Sequence, residues 1–282
     1  MSDTQKTIAK NIFFKGIGLH TGNITRITLK PSPANYGIRF FREDFPEAAP
    51  ILATYENVIG IMRGTTIGND TVHIHTVEHL LAAFYGMGID NIEIHIDGNE
   101  PPVADGSAAS FVNIIQEAGI VDQEVEKDYL VIDKEVHYKN GDTVITANKF
   151  DGLKIEAEII YNHPFIKSQR FEINVDEKTF IEQLSNARTF CFDYEIETLK
   201  KSGLAKGGSL DNAVVIGMDK IYSKNNGLRY QDEFIRHKIL DLMGDLYLLG
   251  RPIKAHIKAV RPGHEHNINF VKAIFQKYQV SG

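Results

Sequence analysis

Residues 233–250 read EFIRHKILDLMGDLYLLG. Good helix formers fill the stretch and a glycine closes it, so it predicts a helix. Ile235, Ile239, Leu242, Leu246 and Leu249 recur at helical intervals and make one stripe to be buried. The opposite side carries His237, Asp241 and Asp245, each four residues after the last. Positions i and i+4 share a helical face about 5–6 Å apart. His237 and Asp241 are therefore placed to bind one metal ion together, by the logic of helical zinc motifs. Two ligands make a poor site, because a catalytic zinc usually has three protein ligands and an open position. Taken alone, the pair also suits a surface ion pair worth a few tenths of a kcal/mol.

The helix needs a layer to lie on. ITRITLKP (24–31) and GIRFFRED (37–44) alternate and predict strands. TVHIHTV (71–77) alternates and gives way to EHLLAAFYGMG, a helix ended by glycine. NIEIHIDG (91–98) is a further strand, and DGSAASFVNIIQEAGI a helix with Asp105 or Ser107 as N-cap. Residues 122–129, DQEVEKDY, are a charged run without an apolar face, and a domain boundary is placed there. The second half repeats the theme with strands YLVIDKEVHY, DTVITANKF and LKIEAEIIY, then a helix around 176–184. An irregular segment with a glycine-rich turn follows, then the 233–250 helix, the strand IKAHIKAV and a last helix from about 267 to 279. Strands followed by helices, twice over, predict two α+β domains, 1–124 and 125–282, of helices on antiparallel sheets. No residue-level repeat joins the halves, so any duplication is structural only.

The 282 residues are 43% hydrophobic and 24% charged, a globular composition with room for two domains of ordinary size. A net charge of −6 argues against general nucleic-acid binding. A single cysteine, Cys191, allows no intrachain disulfide and points to a reducing, cytoplasmic setting. The first residues, MSDTQKTIAKNIFFKG, lack the apolar core of a signal peptide, and no run approaches the roughly 20 apolar residues of a membrane span.

Three other places carry chemistry. Glu78 and His79 stand side by side where a strand meets a helix, an arrangement suited to a base beside a metal ligand. A first-turn glutamate favoured by the helix dipole would look the same. His73 and His75 share a strand face and are read as strand histidines. His264, in RPGHEHN (261–267), is expected in a loop, where an imidazole can serve as acid or cation. Arg251, Lys254, Lys258 and Arg261 occupy a stretch with no acid between Asp245 and Glu265, which suits either an anionic ligand such as a phosphate or a solvated strand face.

Seven stretches resemble the zinc-dependent UDP-3-O-acyl-N-acetylglucosamine deacetylases of lipid A biosynthesis. They are GIGLHTG (16–22), TVEHLLAAFYGMGIDN (76–91), NEPPVADGSA (99–108), ARTFCF (187–192), GLAKGGSLDNAVV (203–215), DEFIRHKILDLMGDLYLLG (232–250) and GHEHN (263–267), in the family's order. The resemblance implies two domains of similar fold, each a sheet layered with two helices, with the active site between them. It implies His79, His237 and Asp241 as zinc ligands, a set that would also bind iron(II). Glu78 resembles the general base, and His264 the cationic partner, with Asp245 placed to orient it. Thr189 resembles the hydroxyl donor to the oxyanion. Lys238 and Arg261 resemble residues contacting the polar head of the substrate. At Arg261 lysine is the residue expected of the family, and the change keeps charge but not hydrogen-bond geometry. Phe190 and Leu19 join them as substrate contacts. The segment 193–215 matches only in part, and Ile196, Leu210, Ala213 and Val215 are its candidates for lining an acyl passage. NEPPVADGSA is read as structural, a tight turn feeding a helix.

The activity implied is removal of the N-acetyl group from an amphiphilic sugar nucleotide, the committed step of lipid A biosynthesis, with peripheral contact at the inner membrane face and no spanning segment. Some members carry a fused second enzyme, for which this chain leaves no room. The alternatives are a zinc amidohydrolase acting on another N-acetylated sugar nucleotide, and a catalytically silent sugar-nucleotide-binding protein.

Overall fold

Two sheets with the same strand order frame the protein, in a computed structural model that describes residues 3–224 and 227–278. From edge to edge the first runs Ile12–Ile17, Ile24–Pro31, Ile92–Ile96, Ile38–Arg42 and Ile51–Leu52. The second runs Val136–Asn140, Thr143–Asn148, Ile253–Val260, Leu153–Ile160 and Ser168–Val175, and Leu130–Val131 pairs with Ile253–Val260 off this path. In each, the strand latest in sequence inserts between the second and third, antiparallel to the one and parallel to the other. All other pairs within the two sheets, apart from the Leu130–Val131 contact, are antiparallel.

The inserted strand needs a long connection, which a helix supplies. Helix α1 (Glu78–Met87) precedes the inserted strand of the first sheet and α2 (Ala109–Ala118) follows it. The second half adds α3 (Glu177–Gln183) and α4 (Ile196–Lys201), then α5 (Glu233–Leu246) before its inserted strand and α6 (His264–Tyr278) after it. The halves therefore repeat one α+β pattern, each a mainly antiparallel sheet with one helix before its inserted strand and one after it, although their residues do not repeat and the second half adds α3 and α4. Alternation makes the sheet faces: Leu153, Ile155, Ala157 and Ile159 are buried, while Lys154, Glu156 and Glu158 between them are not.

Helices α1 and α5 pack on each other and carry the two halves together. Helix α5 was expected to bury one stripe, yet His237, Asp241 and Asp245 are as buried as Ile239 and Leu242. The cause is its central place, between α1, α6 and the second sheet. It ends at Leu246, a 3-10 turn covers Tyr247–Leu249, and Gly250 closes it at φ 76°.

Several expectations need correction. Only His73–Ile74 of the stretch 71–77 is strand. YLVIDKEVHY divides into Leu130–Val131 and Val136–Asn140. Neither Asp105 nor Ser107 is the N-cap of α2, which is Ala108, though the Ser107 hydroxyl accepts the Ala109 N–H at 3.2 Å. The charged run is largely a strand, Ile120–Glu126, paired antiparallel with Thr4–Ile8. Strand Ser168–Val175 went unforeseen because its half-exposed edge position leaves little apolar signal. Helix α6 starts at His264, so that residue is in a first turn rather than a loop; the Asn267 side chain accepts the Gly263 N–H at 3.2 Å and sets this start. The expected end at 279 lies outside the described residues.

Candidate active site

Helix α1 brings Glu78 and His79 in its first turn against the face of α5 that bears His237, Asp241 and Asp245. The donor atoms of His79, His237 and Asp241 all lie within 4.8 Å of one another, and all three residues are buried. Asp241 Oδ1 stands 3.5 Å from His79 Nε2 and 3.3 Å from His237 Nε2. That oxygen is buried yet accepts no hydrogen bond. A buried carboxylate oxygen without a donor is costly, and a cation among these atoms would remove the cost. The His237 Nδ1–H donates to the Ala187 carbonyl at 3.0 Å, which leaves Nε2 unprotonated and aimed at Asp241. Burial lowers the His237 pKa to about 3 against the pull of Asp241, so this imidazole is neutral. Burial would raise Asp241, but the Lys238 ammonium beside it helps hold its carboxyl well below the usual range. The three residues thus fit a metal, with Lys238 Nζ occupying the other Asp241 oxygen at 2.8 Å.

A second group adjoins the first. His264 Nε2 lies 3.8 Å from Glu78 Oε1 and 3.9 Å from Asp241 Oδ2. The His264 Nδ1–H donates to Asp245 Oδ2 at 3.0 Å. Burial would lower the imidazole, but Asp245 and Glu78 raise its pKa to about 9. Burial raises the Glu78 carboxyl, opposed by His264 and His79.

Two residues of this group escaped the sequence reading. The Thr65 N–H donates to Glu78 Oε2 at 2.9 Å, and its hydroxyl to Asp245 Oδ1 at 2.5 Å. Asn267 Nδ2 donates to Asp245 Oδ2 at 2.9 Å. GIMRGTTIG (60–68) has no periodicity that would single out Thr65, whereas Asn267 at the fifth position of GHEHN could have been weighed as a partner.

Leu19, Ile196, Leu210, Ala213 and Val215, far apart in sequence, line one cavity of about 250 Å³ together with Thr189 and Phe190. The Thr189 N–H donates to Gly106 and its carbonyl accepts from Val214, which fixes it in the wall. Phe190 connects cavity and metal group: its ring centroid is 6.3 Å from that of His237, and Lys238 Nζ stands 5.3 Å over it. The cavity wall rests on Glu100, which is wholly buried and accepts from the His20 N–H, the Thr21 N–H and hydroxyl, and the Thr76 hydroxyl. NEPPVADGSA and GIGLHTG are thereby one structural unit.

Other candidates stay apart. Arg261 is exposed, with φ 54°, and bonds Glu158 through its backbone; its side chain has no ion pair among the described residues. Arg251 and Lys254 pair with Asp128 and Asp151, and Lys258 Nζ lies 3.8 Å from Glu156, so those cations form no common anion site. The rings of His73 and His75 stand 4.7 Å apart, outside the metal group.

Comparison with known proteins agrees in extent. The family model described as UDP-3-O-acyl N-acetylglycosamine deacetylase matches residues 5–276. A UDP-3-O-acyl-N-acetylglucosamine deacetylase of Myxococcus xanthus is 42% identical over 97% of this chain and 87% of its own length. One of Citrifermentans bemidjiense is 43% identical over 97% and 89%. A Chlorobaculum tepidum protein named bifunctional enzyme LpxC/FabZ is 40% identical over 97% of this chain and 64% of its own length.

Proposed function

The chain belongs to the UDP-3-O-acyl N-acetylglycosamine deacetylase family, and from that premise we propose how its residues perform the reaction and which metal they hold. The protein is a hydrolase of lipid A biosynthesis that removes the N-acetyl group of UDP-3-O-acyl-N-acetylglucosamine, giving acetate and the free 2-amino sugar. His79, His237 and Asp241 would hold one zinc ion, and iron(II) suits the same donors. When bound, zinc supplies positive charge that acidifies a water and polarises the amide carbonyl. The observation that carries this reading is the Asp241 oxygen, buried without a hydrogen bond between two imidazoles.

Glu78 is the base. Its carboxyl, raised by burial, is a stronger base than an exposed glutamate and can take a proton from the attacking water. His264 is the cation. With a pKa of about 9 it is protonated at neutral pH, and with Nδ1 committed to Asp245 its Nε2–H faces the space between Glu78 and Asp241. It stabilises the oxyanion, and the Thr189 hydroxyl adds a neutral donor. The C–N bond breaks as the amine takes a proton from His264 or from protonated Glu78. Lys238 and Arg261 serve the polar head of the substrate. Leu19, Phe190, Ile196, Leu210, Ala213 and Val215 serve its acyl chain, for which an apolar cavity next to the metal group is the support.

The division into domains 1–124 and 125–282, with an acyl-binding insert near 190–215, belongs to this reading. Its support is that each of the two main sheets is drawn from one half. Among the described residues no helix is long and apolar enough to cross a membrane. A cytoplasmic enzyme working at the inner membrane face is the setting that its amphiphilic substrate implies. The test is acetate release from the acylated sugar nucleotide before and after chelation, with metal content measured alongside. Activity lost with the metal and restored by zinc is the expected result. Activity that persists in protein shown to be metal-free would overturn the metal assignment.

A further inference from the structure

The first two strands of the first sheet carry an outer face that the reaction does not use. Ile12–Ile17 pairs with Ile24–Pro31 so that Ile17 stands opposite Ile24, Lys15 opposite Arg26 and Phe13 opposite Thr28. Period-two alternation puts these side chains on one side of the hairpin. Phe13 is 68% exposed, Ile24 70% and Ile17 37%. Lys15 and Arg26 are exposed between them. Arg26 reaches Glu43 at 3.6 Å across the surface. Two strands that set three large apolar side chains in water around two cations have no account in the packing of the core.

The charge along this stretch of the chain has one sign, although Glu43 and Asp97 stand beside Arg26 in space. Between Asp3 and Glu43 the chain holds seven Lys and Arg residues and no acid, although its net charge is −6. The face also continues into the acyl cavity. The hairpin turn bonds the cavity wall through Lys206 N–H to the His20 carbonyl and Gly207 N–H to the Leu19 carbonyl. Ile17 Cγ1 lies 3.0 Å from where a Cβ on Gly207 would stand. Leu210, three residues on, lines the cavity and is 43% exposed. Lys200, on the cavity lining, and Lys206, beside the turn, are exposed.

We infer that the outer face of the hairpin 12–28, with Phe13, Ile17 and Ile24 as apolar anchors and Lys15 and Arg26 as headgroup contacts, docks the protein on an anionic phospholipid surface. The occupant follows from the side chains. Apolar side chains interleaved with cations match the boundary between acyl chains and anionic headgroups. Docking there sets the mouth of the cavity beside the bilayer, so that an acyl chain could pass between them without crossing water. The inference rests on the reading that the cavity takes the acyl chain.

The test is co-sedimentation of the full chain with vesicles of equal parts phosphatidylglycerol and phosphatidylethanolamine, with phosphatidylcholine vesicles as control and no substrate present. Binding to the anionic vesicles, reduced about fivefold by Lys15→Gln as expected for one cation near such a surface, and lost in Phe13→Ser/Ile24→Ser, supports the site. Val131→Ser, at an apolar residue 48% exposed outside this face, should leave binding unchanged. All variants should keep wild-type acetate release from a short-chain, water-soluble substrate, which also shows that they fold. No binding by an active wild-type protein overturns the docking face and leaves the deacetylase standing. Binding without any deacetylation does the reverse. Self-association abolished by Phe13→Ser/Ile24→Ser, without vesicle binding, makes the face a contact between copies and also overturns the inference.

Discussion

A Cβ on Gly244 would stand 2.1 Å from the carbonyl oxygen of Glu78. The glycine lets α5 meet the first turn of α1, and that approach brings Asp241 and Asp245 to Glu78 and His79. Gly244→Ala therefore has to push the helices apart. Overpacking of this kind costs about 1–3 kcal/mol. Activity should fall further than stability does, because the proposed ligands and base shift with the backbone. Thermal unfolding and kcat, measured where both proteins are folded, check this. Unchanged Tm together with full activity would refute it.

Glu78→Ala should keep its metal and lose roughly 10²–10⁴ in rate, the usual range for a positioned acid or base. Metal content measured on the same sample separates loss of the base from loss of the ion. An alanine variant that holds metal and retains full activity removes Glu78 from the mechanism.

Thr65 bonds Glu78 through its backbone and Asp245 through its hydroxyl, so it joins the proposed base to the carboxylate that accepts the His264 Nδ1–H. Thr65→Val keeps the shape and leaves Asp245 short of one donor. Hydrogen bonds to charged groups contribute about 1.5–3 kcal/mol, so kcat should fall about tenfold to a hundredfold while KM changes little. Thr65→Ser should restore most of it. Equal activity of the valine and serine variants would show that the hydroxyl has no part.

What could be read in advance follows periodicity. The i, i+4 spacing of His237 and Asp241 lies within one helix, so the pair was legible, and the α+β class followed from alternating and helical runs. The third proposed ligand, His79, comes from the other half, and only the resemblance to a family joined it to them. Thr65 stayed hidden because its role is set by a contact 180 residues away in sequence. His264 opens a helix rather than sitting in a loop because the Asn267 side chain fixes that start, a contact that leaves little trace in composition. The charged run 122–129 hid most of a strand because its pairing partner is the distant N-terminal segment.

The pH profile should have a basic limb set by His264. Its pKa is raised to about 9, with burial overcome by Asp245 and Glu78. The protonated form is the active one, so the rate holds through neutral pH and falls as pH rises through that value. Asp245→Asn removes the main stabilising charge and should move the limb to lower pH. His264→Gln should abolish it and lower the rate. A limb that stays in place in both variants would assign it to another group.

The cavity makes the last prediction, because it separates recognition from chemistry. Ala213 and Val215 line it, while the reacting amide belongs beside Glu78 and His264. Ala213→Phe would fill part of a space of about 250 Å³ that only the acyl chain is expected to need. Each methylene kept out of an apolar site loses about 0.8 kcal/mol, so excluding two or more should raise KM for a long-chain substrate about tenfold or more. Turnover of a short-chain analogue should stay near the wild-type value, since no group at the metal site is changed. If long and short substrates suffer alike, the cavity does not hold the acyl chain, and the residues from Leu19 to Val215 lose that role together.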